Sequence, residues 1–102
     1  MQIRAHELKI QTPYFDAVIT GKKKAELRKN DRDYRVGDML ILNEVDGLDY
    51  TKQKSYQMVT HILPGGQFGI DKEYVILSIE PAPRDFVRIY YSGETITVNI
   101  IS

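Results

Sequence analysis

Three charged residues at alternate positions, Lys24, Glu26 and Arg28, can act together on an anionic ligand if the segment carrying them is extended. On a strand alternate side chains share a face, so these three stand together, opposite Ala25 and Leu27. A lysine and an arginine flanking a carboxylate can clamp a phosphate or the edge of a base, the guanidinium in bidentate fashion. Glu26 can accept from an amino group such as that of cytosine, or serve as a general base if burial raises its pKa. The plainer alternative is a salt-bridge ladder on a solvated face, worth about 0–1 kcal/mol per pair. Lys23 falls on the apolar side by strict alternation, but it lies where the strand begins, just after Gly21.

These positions belong to a longer basic stretch, Gly21 to Asp38, which holds seven of the 14 Lys and Arg residues. Against them, up to Arg35, stand only Glu26, Asp31 and Asp33, so this part is formally +4 and the rest of the neutral chain −4. A local positive field of this kind focuses anionic ligands in a way that net charge conceals. Asn30-Asp31 and Gly37-Asp38 are turn formers that bracket an ordered loop. Asp31 suits a structural role in it, pairing with Arg32, whereas Arg32 is equally suited to a phosphate contact. Lys9 can join the same basic cleft, and Tyr74 can stack on a base or close the pocket, a surface tyrosine being the alternative. His6 and His61 read as satisfied core or rim histidines. With scattered carboxylates they form no metal site, and no phosphate-cradling glycine loop or cofactor motif is present.

The elements that must position these groups are mostly strands. Ile3 to Ile10 alternates, with His6, Leu8 and Ile10 on one face and Ala5, Glu7 and Lys9 on the other. Thr12-Pro13 predicts a helix start with Thr12 as the N-cap. Tyr14, Phe15, Val18 and Ile19 form its apolar stripe, and Gly21 closes it. Strands follow at Lys23 to Arg28, Met39 to Val45, Ser55 to Leu63 and Tyr74 to Glu80, with a polar loop from Asp46 to Lys54. Beyond Pro81-Ala82-Pro83, Asp85 to Tyr91 and Glu94 to Ile101 flank Ser92-Gly93 and predict a hairpin. The expected architecture is mostly β within the α+β class: a small barrel with one early helix, which removes exposed sheet edges. Residues 1–80 would form the barrel, and 81–102 a Pro-linked hairpin that extends or caps it.

Length and composition bound the rest. One hundred and two residues suffice for one domain and one core, burying somewhat over ~60% of the unfolded surface. The absence of cysteine removes disulfides and thiolate metal sites and fits a reducing compartment. No apolar run reaches membrane-spanning length and the start lacks a signal-peptide core, so a soluble cytoplasmic domain is expected.

Several stretches also occur in a telling order: His6-Glu7-Leu8-Lys9-Ile10, Pro13-Tyr14-Phe15, Gly21-Lys22-Lys23, Glu26 through Arg32, Val36-Gly37-Asp38, Val59 through Leu63, and Phe68-Gly69-Ile70 before Tyr74 through Ile79. Together they resemble a small bacterial and phage family of unknown function within the ASCH group of the PUA-like superfamily. The resemblance covers roughly the first four-fifths of the chain and implies a PUA-like β-barrel. Its cleft, beside the first helix and lined by the Gly-x-Lys strand, would bind RNA or a nucleotide. Gly21 and Lys23 match the Gly-x-Lys element. Some ASCH-like proteins are amidohydrolases that deacetylate N4-acetylcytidine with a Lys, a Thr and a Glu. Here the position three after the lysine is Glu26, not Thr, a departure that removes that nucleophile.

Three functional readings result. In the first, a binding domain recognises RNA or a nucleotide-sized anion, with Lys9, Lys23, Lys24, Arg28 and Arg32 lining the cleft and Glu26 and Tyr74 reading or stacking the base. In the second, a hydrolase acts on a modified nucleoside with Lys23 and Glu26 as its acid/base pair. In the third, the C-terminal hairpin is an interaction module, so that the protein is a monomer with a capped barrel or a homodimer joined by strand addition.

Overall fold

The computed structural model describes residues 3–92 and, by their backbone alone, residues 98–100. The first strand, β1 (Ile3–Gln11), runs directly into α1 (Thr12–Ile19). The N-cap is Gln11 rather than Thr12, one residue earlier than the sequence predicts, because the Thr12 hydroxyl is used elsewhere, donating to Val45 O at 3.3 Å. Gly21, with φ of 77°, takes the left-handed turn that ends the helix, its N–H donating to Val18 O at 3.0 Å. The apolar stripe of α1 is narrower than its sequence: Phe15 and Val18 are buried, whereas Tyr14 and Ile19 are mostly exposed.

Four strands follow: β2 (Ala25–Lys29), β3 (Met39–Asp46), β4 (Asp49–Pro64) and β5 (Tyr74–Pro81). The segment expected as a polar loop is instead the top of a long β3–β4 hairpin, tightly turned at Gly47-Leu48, with Asp46 opposite Asp49. Its composition misled because residues 49–54 run beyond the core and are exposed on both faces, so no apolar alternation marks them. A register shift after Asn43, with Lys52 at φ 72°, gives this hairpin a bulge.

The segment 85–91 is likewise not a strand. It lies in α2 (Arg84–Ser92), and β6 (Val98–Ile100) pairs in parallel with Ile3–Ala5 of β1 rather than folding back on its predecessor. Phe86, Val87, Ile89 and Tyr90 alternate poorly but fit the i, i+1, i+3, i+4 face of a helix. Pro83 starts that helix, its carbonyl accepting from Phe86 and Val87 N–H. The predicted turn residue Gly93 lies outside the described residues.

Among the described residues the strands form one mixed, curled sheet in the order β2-β5-β4-β3-β1-β6, a half-barrel. Its inner face and α1 enclose the larger core, which includes Leu8, Phe15, Val18, Leu40, Leu42 and Leu77. On the opposite face α2 packs Phe86, Val87, Ile89 and Tyr90 over Ile3, Ala5, Met39 and Ile41. No helix among the described residues is long and apolar enough to cross a membrane.

Among the described residues β1 has no strand partner on this edge past Ala5, and two arginines cover it. Leu8 O points toward β3, where Asn43 Nδ2 donates to it at 3.3 Å. The flanking carbonyls of Glu7 and Lys9 therefore point the other way, since alternate carbonyls leave a strand on opposite edges. Arg32 Nη1 donates to Glu7 O and Arg28 Nη2 to Lys9 O, each at 2.9 Å. Side chains thus close the seam that backbone pairing leaves open.

Candidate functional site at the seam

A cleft of about 460 Å³ opens along this seam, between the end of β1 with the start of α1 and the β2 segment. Lys9, Gln11 and Tyr14 line one wall; Lys23, Glu26 and Arg28 line the other. Each is placed by local structure. The Lys23 N–H donates to Ala17 O at 2.9 Å, tying the residue to the end of α1 just before β2 begins. Pairing of Glu26 with Leu77 and of Arg28 with Val75 fixes β2 against β5 and turns both charged side chains toward the cleft.

Glu26 is the centre of the arrangement. Only 4% of it is exposed. One carboxylate oxygen accepts from Lys23 Nζ, which also reaches Ala25 O. The other accepts from Arg28 Nε at 2.9 Å, and Arg28 Nη2 lies 2.9 Å from it in an ion pair. Glu26 and Arg28 share a face as alternation predicts, and this charged face turns inward while Leu27 is 60% exposed. Within the curled sheet the inward face of β2 meets the seam rather than the apolar core, so a buried acid is tolerated because two cations meet it.

The other predicted residues divide. Lys9 stands on the cleft's opposite wall and is exposed, its ammonium 5.5 Å from the Tyr50 ring centroid. Arg32 lines an adjoining hollow that also contains Lys9 and Arg28. Tyr74 pairs with Lys29 and so lies on the Leu27 face of β2, in an apolar hollow of about 440 Å³ with Ala25, Leu27, Ile70 and Ile76. That hollow shares Lys23 with the cleft. Lys24 is exposed and faces another depression, beside Gly21, Lys54 and Pro81, away from Glu26.

The sequence matches the model of a family described as a domain of unknown function (DUF3850) over residues 5–79. The chain belongs to that family. A relative, the "Uncharacterized 12.9 kDa protein in GpA 3'region" of Escherichia phage P2, is 46% identical over 63 residues, which is 61% of this chain and 57% of that protein. The chain thus spans little more than half the length of the curated relative it matches. The DUF3850 segment runs from within β1 to within β5 and contains every residue of the cleft, whereas α2 and β6 lie beyond it.

Two further features of the DUF3850 segment were not evident from sequence. Gln11 and Tyr14 line the cleft, although the sequence pattern places Tyr14 in the apolar stripe of α1. Its only distinguishing signal is its hydroxyl, which makes it the most polar member of that stripe. The loop behind the seam is held by a buried pair: His6 Nε2 lies 2.7 Å from Asp38 Oδ2, which also accepts from the Arg35 N–H at 2.9 Å. His6 is fully buried beside Tyr34, while His61, read alike from sequence, is exposed. Among the described residues no group of three His, Cys, Asp or Glu side chains could hold a metal ion.

Proposed function

We propose that this DUF3850 domain binds RNA or a nucleotide-sized anion in the seam cleft, through Lys9, Lys23 and Arg28. The observation that carries the reading is Glu26, buried at the cleft wall with a cation bonded to each of its oxygens. An acid so placed holds Lys23 and Arg28 in fixed directions, and with Lys9 opposite the cleft keeps a formal +2. Preorganised cations in a concave site favour phosphate. The cleft volume also lies in the range of small-molecule sites, about 300–1,000 Å³. Arg32 extends the positive surface, and the Leu27–Tyr74 hollow, reached past Lys23, offers a platform for a base. The resemblance of the Gly21–Arg32 segment to the ASCH group of PUA-like domains supports the same reading.

The test is calorimetric titration with a short oligoribonucleotide at several salt concentrations. Lys23→Ala and Arg28→Ala should each weaken binding and flatten the salt dependence, the slope falling by about 0.7 per phosphate contact removed. Thermal melts of both variants separate lost contacts from lost fold, since Arg28 also covers the β1 edge. Unchanged affinity and slope in both variants place the site elsewhere.

Direct contact between Lys23 and Glu26 also supports a second reading, a hydrolase acting on a modified nucleoside with these two as its acid/base pair. The two cations on Glu26 favour a bracing carboxylate over a free base. Turnover in a panel of acylated nucleosides, abolished by Lys23→Ala, would reverse that preference.

A further inference from the structure

A second hollow, of about 560 Å³, adjoins the cleft and shares Lys9 and Arg28 with it, adding Arg32, Asn43, Tyr50 and Lys54. Its floor is a row across three strands, for Lys9 stands opposite Asn43 on β3 and Asn43 opposite Lys54 on β4. Four cations face it and one acid, Glu7, whose carboxylate accepts from Asn43 Nδ2 at 3.2 Å and lies 3.8 Å from Lys54 Nζ. Tyr50, 55% exposed, stands at its rim.

We infer that the two hollows form one track for a single-stranded nucleic acid, which crosses the seam over Arg28 and places a base against Tyr50. This rests on the anion-binding reading of the cleft and narrows it from nucleotide or RNA to an unpaired polynucleotide. A free nucleotide occupies one hollow and leaves the other's cations unused. Lys9, Lys23, Arg28, Arg32 and Lys54, spread over two connected hollows, match successive phosphates of a strand. An exposed ring among cations takes an unpaired base by stacking, which a duplex cannot offer along its length. The bulged β3–β4 hairpin supplies Tyr50 and Lys54, giving a function to a polar extension that adds nothing to the core.

Fluorescence anisotropy with an oligouridylate of about six nucleotides, against UMP and duplex RNA as competitors, tests this. The expected result is that the oligomer binds at least tenfold more tightly than UMP. Tyr50→Ala should weaken the oligomer about tenfold, and Lys54→Ala should flatten its salt slope by about 0.7, both leaving UMP unaffected. Both residues are exposed on the hairpin, so folding should be preserved, and circular dichroism checks it. Equal affinity for oligomer and UMP, with no effect of either substitution, overturns the track but leaves the cleft. Duplex RNA competing as well as the oligomer also overturns it. If neither oligomer nor UMP binds, track and cleft reading fail together.

Discussion

Glu26 shows how much the environment of one side chain decides. In sequence it is one acid among lysines, and on a solvated strand it would contribute little. In the structure it is buried and bonded on both oxygens, so its removal uncovers two cations rather than one contact. Glu26→Gln keeps the volume and removes the charge. The expected outcome is a loss of about 2 kcal/mol in stability by chemical denaturation, below the range for a fully buried pair because Lys23 and Arg28 remain partly in water. Affinity for inorganic phosphate should hold or rise, since the cleft gains net positive charge. Weaker phosphate binding with unchanged stability would instead show that the orientation Glu26 gives Lys23 and Arg28 outweighs its charge.

At the scale of elements, α2 is the clearest correction to the sequence reading. A hairpin offered a free strand for pairing with a second copy; a helix does not. Its apolar face covers Ile3, Ala5, Met39 and Ile41, and the Tyr91 hydroxyl lies 2.6 Å from that of Tyr56. Phe86→Ala should therefore cost about 2 kcal/mol, less than a fully buried Phe, with ligand binding at the distant cleft unchanged. Denaturant melts and titration of the same variant check both parts. The β3–β4 hairpin was missed for a related reason. Strands that leave the core lose the alternation by which strands are recognised, and only cross-strand pairing identifies them.

At the scale of the whole molecule, the sheet is closed on one side by arginines and covered on the other by α2, with Tyr34 buried in the core and Tyr56 and Tyr90 half-buried where α2 packs. Burial pushes the Tyr34 and Tyr90 hydroxyls above their ordinary value of 10; Tyr56 is pushed up by burial and then by its bond to Tyr91. A group whose pKa is raised by folding keeps its full contribution below the unfolded value and loses it as pH rises through the folded one. Stability should therefore decline above about pH 10, with part of the tyrosinate absorbance emerging only as the far-ultraviolet β signal is lost. Tyr56→Phe should make that alkaline decline shallower. Tyrosinate forming completely before any unfolding would contradict the assignment.

The sequence by itself determined the order of the elements through β5, the left-handed turn at Gly21, and the alternation that puts Glu26 and Arg28 on one face. Each is written in neighbouring residues: a turn former, a run of β-branched residues, a period of two. Tertiary structure alone decided which face of β2 turns inward, that Lys24 leaves the cluster while Lys23 joins it, and that Tyr74 lies across the strand from Glu26. These depend on which strand lies across the seam and what surface needs covering. Both are set by contacts between residues far apart in the chain, and no local pattern encodes them.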